Sequence, residues 1–260
     1  MDGAAWQGAV DRLRAAGCVH AEDEADRIWE TYDDPADRDG AVARRVGGEP
    51  LEQVVGWAEF GPVRVALAPG VFVPRRRAEA ILGPAIAARP DARVVVDLGC
   101  GAGALAAALA HLLPDAAVHG TEIDADALAC ARLTAAGKFA VHEGSWWSAL
   151  PTGLAGRVDL AVAYLPHVPT ERLADIHPDF RAHEPDLSVD GGPDGLDPLR
   201  AVLVDARAWL AADGAFVTLL STAQADALGS LDLHGFATEV LARDHDDDGD
   251  DDAVVAFHPA

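Results

Sequence analysis

The sequence predicts an α/β fold: a doubly wound, mostly parallel sheet preceded by a small helical domain. Three observations carry this prediction. Strand and helix patterns alternate from Ala92 onward, a glycine-rich turn joins the first of these strands to the first helix, and apolar residues before Leu51 recur at helical spacing. The last two strand patterns follow each other without a helix, which predicts a C-terminal antiparallel hairpin.

The first third of the chain divides into two predicted units. Residues 1–50 are expected to form a helical domain, with one helix ending at Gly17, a second from Ala21 to Tyr32 and a third around Ala41. Residues 51–90 contain short β-branched runs interrupted by Gly and Pro, which is typical of a hairpin-like connector.

Residues 91–260 form the third predicted domain. Its strand patterns are short and mostly apolar, as expected for strands that helices cover on both faces. In chain order they are RVVVDLG, AAVHGTEI, FAVHEGS, VDLAVAY, AFVTLLS, ATEVLAR and AVVAFHP. The helix patterns are GALAAALAHLL, DADALACARLTAAG, DPLRAVLVDARAWLAADG and TAQADALGSL, and we expect the third to close at Gly214.

The composition argues against several functional classes. A net charge of -23 at pH 7 opposes nucleic-acid binding, because phosphate contacts need clustered Lys and Arg. No window reaches the ~18 apolar residues of a membrane helix, and the N-terminus lacks a signal-peptide pattern. We therefore expect a cytoplasmic protein without a membrane partner. Cys18, Cys100 and Cys130 are scattered, so we expect reduced thiols and no metal site. The acidic stretch Asp244–Asp252 predicts a solvated loop.

The glycine-rich turn runs from Asp97 to Gly103 as DLGCGAG. Glycines at this place let the backbone approach a ligand closely. The acidic residue before the first glycine can accept a hydrogen bond from an ammonium group, which a pyrophosphate lacks. Glu122 ends the second strand about twenty residues on, where it can accept ribose hydroxyls. Together these features predict a nucleoside-bearing ligand, and the alternative is an ordinary tight turn with a surface Glu.

These residues resemble the S-adenosylmethionine-dependent methyltransferases. The segments VFVPRRRAE, GSWW, YLPHVP and EPDLSVDGGPDGL occur in the order of one family among them. From about Leu51 onward the chain is similar to the HemK-type enzymes, which methylate the side-chain amide nitrogen of glutamine in peptide chain release factors. The resemblance implies a Rossmann-like class I methyltransferase sheet, S-adenosylmethionine as cofactor, and a role for residues 1–50 in substrate recognition or as a lid.

The resemblance also implies which residues hold the cofactor. The glycine-rich turn would wrap the methionine portion, Glu122 would hold the ribose, and Trp146 would lie against the adenine. The alternative for Trp146 is a core aromatic beside Trp147. The implied cofactor-binding residues are Asp97, Gly99, Cys100, Gly101, Ala102, Gly103, Glu122, Ile123, Trp146 and Tyr164.

The loop after the fourth strand departs from the family pattern. The family has Asn-Pro-Pro-Tyr, in which the Asn side chain and the first proline's carbonyl accept hydrogen bonds from the target amide. This chain has Tyr164, Leu165, Pro166 and His167. The first and fourth strands of such a sheet are neighbours, so the loop should face the glycine-rich turn. Because Tyr164 cannot replace the paired acceptors of the Asn, the sequence predicts a changed acceptor.

We therefore predict a methyltransferase whose acceptor is a small, aromatic or heteroaromatic molecule, methylated on N, C or O. Tyr164 would orient this acceptor and His167 would take its proton, which makes them the predicted catalytic residues. The predicted substrate-binding residues are Phe72, Arg75, Leu165, Pro166 and His167.

Four alternatives stay open. The chain could be a release factor glutamine methyltransferase that uses the main-chain carbonyls of Tyr164 and Leu165 as acceptors. It could also be an S-adenosylmethionine-binding protein that has lost its chemistry. His167 could merely fill space in the loop, and Arg75 could belong to a basic patch that caps the following helix.

Overall fold

The computed structural model of the protein describes residues 3–245 and 251–260. Residues 246–250, the centre of the acidic stretch for which a solvated loop is predicted, lie outside the described residues. Within the described part of the chain, no helix combines the length and apolar character needed to cross a membrane.

The chain begins with helices that share a small core of their own. The helices are α1 (Gly3–Ala15), α2 (Ala21–Thr31), α3 (Pro35–Val46) and α4 (Leu51–Val55). The start of α3 follows from its sequence, because the Asp34 side chain accepts a hydrogen bond from the Ala36 N–H at 2.7 Å and Pro35 needs no such partner. Buried side chains of the core include Val10, Leu13, Ile28 and Val42.

A short hairpin connects these helices to the sheet. Strands β1 (Trp57–Phe60) and β2 (Val63–Ala66) pair in antiparallel orientation. A 3-10 helix, Arg76–Ile81, then leads into α5 (Leu82–Ala88). Because Phe60 and Ile81 are buried in the same hydrophobic cluster as one face of the large sheet, this connector packs against the sheet domain.

The large sheet has the strand order β5-β4-β3-β6-β7-β9-β8. Its strands are β3 (Val94–Leu98), β4 (Ala117–Glu122), β5 (Ala140–Glu143), β6 (Val158–Ala163), β7 (Leu210–Ser221), β8 (Phe236–His245) and β9 (Asp251–Pro259). The neighbouring strands β5, β4, β3, β6 and β7 run parallel to one another. Strand β9 is antiparallel to both β7 and β8. The predicted α/β fold with a C-terminal antiparallel hairpin is confirmed.

Helices cover both faces of this sheet. They include α6 (Ala104–Leu112), α7 (Ala125–Ala135), α9 (Asp197–Trp209) and α10 (Thr222–Ala227), whereas α8 (Pro178–His183) has no buried residue and lies in the segment between β6 and α9. Neighbouring residues of β3 serve opposite faces, since Val95 packs in the cluster that includes α5 and α6, and Val96 packs in the cluster that includes α9. This alternation, with apolar residues on both sides, explains why the strand patterns are continuous apolar runs.

The predicted end of the third helix of this domain is wrong. We expected the helix to close at Gly214, but α9 ends at Trp209 and β7 begins at the next residue. Leu210 pairs with Val158 of β6, and a bulge follows before the register resumes. Gly214 is needed for close approach, because a Cβ there would lie 2.6 Å from the Val158 carbonyl oxygen.

The topology sets where a ligand can bind. Strands β3 and β6 are adjacent and parallel, so the segments that follow them meet at the same edge of the sheet. This is the point where the strand order reverses, and open α/β sheets bind ligands in the crevice there. The glycine-rich turn after β3 and the loop after β6 therefore face one another.

Candidate active site

A cavity of about 960 Å³ opens at the carboxyl ends of β3, β4 and β6. This volume includes solvent at the open mouth of the cavity. We call it the large cavity. Its walls are formed by Val71, Phe72, Gly99, Gly101, Glu122, Ile123, Asp124, Ala127, Gly144, Ser145, Trp146, Tyr164, Pro166, Pro185, Leu187, Ser188, Asp190 and Pro198.

A second cavity of about 410 Å³ shares four of these wall residues, Phe72, Gly99, Gly101 and Tyr164. We call it the small cavity. It lies on the side of the glycine-rich turn toward the connector, and its other walls are formed by Phe60, Pro74, Arg75, Ala78, Asp97, Cys100, Ala102, Ala104 and Leu105. Because the two cavities share these walls, they lie next to each other at the glycine-rich turn.

The turn after β3 depends on two glycines that face the cavities. Gly99 and Gly101 have φ values of +68° and +56°, where residues with a side chain are strained. A Cβ on Gly99 would lie 2.7 Å from the Trp146 ring, whereas the space beside Gly101 is open to 4 Å. The backbone at Gly101 is therefore bare toward a ligand.

Asp97 is buried below this turn, with a side chain that is only half satisfied. Its Oδ2 accepts a hydrogen bond from the Ala106 N–H at 2.9 Å. Its Oδ1 is also buried and has no hydrogen-bond partner among the residues that the structure describes. Burial raises the pKa of Asp97 to about 7, against the lowering effect of the Ala106 N–H. A cationic ligand group in the small cavity, whose wall includes Asp97, would stabilise the ionised form of this carboxyl group.

Glu122 is held at the end of β4 by three main-chain donors. Its Oε1 accepts from the N–H groups of Ile123 and Asp124, and its Oε2 accepts from the N–H of Gly101, each at 2.8 Å. A carboxylate offers about four acceptor positions, so one remains for a ligand hydroxyl in this arrangement. The predicted contact with both ribose hydroxyls requires Glu122 to release one main-chain bond.

The two neighbouring tryptophans have separate roles in the structure. Trp146 lines the large cavity beside Gly99. Trp147 is fully buried, donates its indole N–H to the Val202 carbonyl oxygen at 2.9 Å and stacks on Trp209. The core interpretation therefore fits Trp147, and Trp146 is available to a ligand.

The loop after β6 contributes Tyr164 and Pro166 to the cavity walls. The Leu165 side chain is buried in the core. The His167 ring lies edge-on to the Tyr164 ring, with centroids 5.3 Å apart, and its Nδ1 is 2.8 Å from the Leu165 carbonyl oxygen. The His167 carbonyl in turn accepts from Gln224 Nε2 at 2.9 Å, which ties the loop to α10.

The site thus gathers most of the residues that the sequence predicts. Within the described part of the chain, Leu165, His167 and Gly103 are the predicted residues absent from both cavity walls. Gly103 instead starts α6, where a Cβ would lie 3.0 Å from the Phe139 ring. The His167 ring contacts Tyr164, which lines both cavities, and the predicted role of His167 as a base stays a prediction.

Arg75 lines the small cavity. Its Nη2 is 2.5 Å from Glu184 Oε2, and its guanidinium lies over the Phe72 and Phe180 rings at 4.5 Å and 4.0 Å. Glu184 Oε1 accepts from the Val73 N–H at 2.9 Å, and burial raises the pKa of Glu184 although Arg75 opposes this. Arg75 therefore belongs to the site and joins the connector to the segment around α8.

The sequence analysis missed a set of wall residues in the segment after α8. The segment EPDLSVDGG carries part of the family resemblance, but its pattern assigns no role to its side chains. Leu187 is 63% exposed, although it lines the large cavity. The irregular, proline-containing pattern of this segment is the sequence signal that could have indicated a cavity wall. The wall residues that the segment supplies are Pro185, Leu187, Ser188 and Asp190.

Comparison with known proteins identifies the family. The sequence-family model described as the methyltransferase small domain matches residues 62–165 of this chain. A release factor glutamine methyltransferase from Geobacter sulfurreducens is 36% identical, over 79% of this chain and 72% of its own length. Enzymes of the same name from Mycolicibacterium smegmatis and Caulobacter vibrioides are 38% and 30% identical, covering 79% and 91% of this chain and 73% and 89% of their own lengths.

Solved structures share the fold. The Mtq2-Trm112 complex of E. cuniculi, responsible for methylation of the eRF1 termination factor, matches with a TM-score of 0.53 and 16% identity over 74% of this chain and 99% of its own. A 16S rRNA methyltransferase from T. thermophilus, solved with AdoMet and guanosine, matches with a TM-score of 0.52 and 20% identity, over 78% of this chain and 44% of its own. At these identities the likeness concerns the fold alone.

The relatives correct one prediction and confirm others. The predicted small aromatic acceptor is wrong, because the curated relatives are named for glutamine in release factors. The four-residue loop after β6 departs from the family pattern, whereas the similarity to the relatives extends over most of the chain. The enzyme is an S-adenosylmethionine-dependent methyltransferase, as predicted. The chain belongs to the release factor glutamine methyltransferase family.

Proposed function

We propose that this chain transfers a methyl group to the side-chain amide nitrogen of glutamine in a peptide chain release factor. The observation that carries the proposal is the identity of 30% to 38% with enzymes of this name, over at least 72% of their lengths. The aligned region is long enough to include the residues of both cavities.

The residues present fit S-adenosylmethionine. When bound, this cofactor supplies an electrophilic methyl group on a positively charged sulfur. Asp97 Oδ1 is a buried acceptor that has no partner among the described residues, and the bare backbone at Gly101 allows close approach. Glu122 retains one acceptor position for a ribose hydroxyl, and Trp146 offers an aromatic wall. We infer that these four residues hold the cofactor.

The acceptor amide would lie against the loop after β6. In the family the first proline of the loop contributes a main-chain carbonyl, and any residue at that position supplies the same group. Leu165 therefore keeps this acceptor, although its carbonyl also contacts His167 Nδ1 at 2.8 Å. A carbonyl oxygen has two acceptor positions, so one is left for the amide N–H of the substrate.

Tyr164 takes the place of the family's Asn as the second acceptor. Its hydroxyl can accept one hydrogen bond, and its ring lines both cavities. Aligning the amide nitrogen toward the methyl group is the main task, because proximity and orientation can supply about 7 to 11 kcal/mol of a barrier. Leu165 and Tyr164 perform that alignment in this proposal.

The rim of the large cavity suits a protein acceptor. Leu187 and Ile123 are 63% and 57% exposed, and both side chains line the cavity. Exposed apolar side chains that cluster at a cleft commonly mark an interaction site. A peptide loop that carries a glutamine could pack against both residues while the amide enters the cleft.

Mass spectrometry of a purified release factor tests the proposal. The factor is incubated with this enzyme and S-adenosylmethionine, and we expect one added methyl group on the glutamine of its Gly-Gly-Gln motif. A release factor in which this glutamine is replaced by Ala is the matched control and should stay unmodified. An unmodified wild-type factor, at an enzyme concentration at which the cofactor is shown to bind, would contradict the proposal.

A further inference from the structure

Gln224 is a buried polar residue in the first turn of α10. Its amide nitrogen, Nε2, donates to the His167 carbonyl oxygen at 2.9 Å. The same nitrogen lies 3.3 Å from the carbonyl oxygens of Asp194 and Gly195. One side chain thus binds three main-chain carbonyls from two separate parts of the chain, the loop after β6 and the segment that precedes α9.

The segment before α9 also packs directly against the His167 carbonyl. A Cβ on Gly195 would clash with this carbonyl oxygen and with Gln224 Nε2, and Gly195 has a φ of +77°. The two parts of the chain are joined by main-chain bonds as well, since the Gly191 N–H donates to the Val168 carbonyl oxygen at 2.8 Å. The path of the loop after β6 is therefore set by contacts outside both strand ends that face the cavities.

The His167 ring connects this fixed carbonyl to the proposed acceptor site. Its Nδ1 lies 2.8 Å from the Leu165 carbonyl oxygen, and its ring lies edge-on to the Tyr164 ring with centroids 5.3 Å apart. Because a carbonyl oxygen can only accept, Nδ1 is the donor in this hydrogen bond. The main chain of His167 thus orients a ring that contacts both residues proposed to align the glutamine amide.

The amide oxygen of Gln224 fixes the direction of the whole side chain. Its Oε1 accepts from the Ser221 N–H at 3.1 Å, and the Ser221 side chain accepts from the Gln224 N–H at 3.2 Å, which is the reciprocal arrangement of a capping box. With its oxygen bound to the start of its own helix, the amide points its nitrogen at the three carbonyls. A Glu at this position could keep the bond to Ser221 but would have no donor for the carbonyls.

We propose that Gln224 is a positioning residue for methyl transfer, which acts through His167 on Leu165 and Tyr164. The inference rests on the proposed function, because it takes the glutamine amide as the group that Leu165 and Tyr164 align. In the described part of the chain, Gln224 is absent from both cavity walls, so its replacement should affect the transfer step and not cofactor binding. Losing an interaction that acts only in the transition state lowers kcat and kcat/KM equally.

The Gln224→Glu variant removes the donor and keeps the length of the side chain and the acceptor for the Ser221 N–H. We expect kcat on the release factor to fall about 10-fold or more, as for the loss of one hydrogen bond. The KM for the release factor and the Kd for S-adenosylhomocysteine should change by less than about twofold. Gln224→Asn keeps an amide but is one methylene shorter, and it should show the same separation of kcat from Kd if the Glu variant does not fold.

Ser221→Ala is the matched control, because it removes one bond of the capping box and leaves the Gln224 amide in place. It should lower the melting temperature, as the loss of a helix cap does, but leave kcat unchanged. An equal fall of kcat in Ser221→Ala, or an unchanged kcat in both Gln224 variants, would overturn the proposal. If the wild-type enzyme itself leaves the release factor unmodified, the proposed function fails and this inference fails with it. If the wild type methylates the glutamine and the Gln224 variants do so at the same rate, only this inference fails.

Discussion

Replacing Asp97 by Asn tests the buried carboxyl group that faces the small cavity. Burial raises its pKa from 3.8 to about 7. One pKa unit corresponds to about 1.4 kcal/mol, so ionising this group in the folded protein costs up to about 4 kcal/mol. The folded state holds the proton more tightly than the unfolded chain does. The contribution of Asp97 to the free energy of unfolding therefore decreases as the pH rises from about 4 to about 7, and it is constant above that range.

The Asp97→Asn variant lacks this titration. Its free energy of unfolding, relative to the wild type, should increase by about 3 kcal/mol between about pH 5 and about pH 8. Urea denaturation of both proteins at the two pH values measures this change. Because the comparison is between proteins, the contributions of other groups such as His119 and His142, whose pKa values burial lowers, cancel.

The same variant should lose affinity for the cofactor. Replacing the carboxylate removes the charged partner of the ammonium group, which we expect to weaken binding of S-adenosylhomocysteine by about 10-fold or more. A stability difference that does not change with pH would refute the raised pKa of Asp97. An unchanged affinity would refute its assignment to the ammonium group.

Two further predictions concern the turn and the loop. Gly99→Ala places a Cβ 2.7 Å from the Trp146 ring and should abolish detectable binding of S-adenosylhomocysteine in calorimetry. Gly101 also has a positive φ, but a Cβ at this position would meet nothing within 4 Å. Gly101→Ala should therefore fold and retain more affinity for S-adenosylhomocysteine than Gly99→Ala. Equal losses of affinity in the two variants would contradict the role of Trp146. Gln224→Ala removes the hydrogen bond to the His167 carbonyl and should lower kcat about 10-fold while the cofactor Kd is unchanged, as steady-state kinetics and calorimetry can measure. An unchanged kcat would show that the loop does not need this support.

The sheet was predictable because its signals are local. Each parallel strand that helices cover on both faces is a short apolar run, and β3 and β6 show this directly in VVVDL and VDLAVA. The glycine turn was equally visible, since Gly99 and Gly101 are needed for positive φ next to a ligand. Strand order then followed from the general topology of doubly wound sheets, which brought the turn and the loop after β6 together.

The parts that sequence reasoning missed depend on long-range contacts. The end of α9 is set by the pairing of Leu210 with Val158, a contact across the sheet that no local pattern reveals. The bonds that Glu122 makes to three main-chain N–H groups depend on the path of the turn in space. The exposure of Leu187 at the cavity rim likewise depends on how its segment crosses the sheet edge.

The acceptor was mispredicted for a different reason. The loop from Tyr164 to His167 lacks the family's Asn, and side-chain chemistry alone then argues against an amide acceptor. A main-chain carbonyl does not depend on the side chain, so Leu165 can keep an acceptor that the sequence pattern does not display. Side-chain motifs therefore underestimate sites that are built from the backbone.

A crystal structure with S-adenosylhomocysteine tests the central claim most directly. We expect the nucleoside in the large cavity between Glu122 and Trp146, the amino-acid terminus in the small cavity beside Asp97, and the sulfur facing Tyr164. A nucleoside bound elsewhere, or an amino-acid terminus that points away from the small cavity, would contradict it.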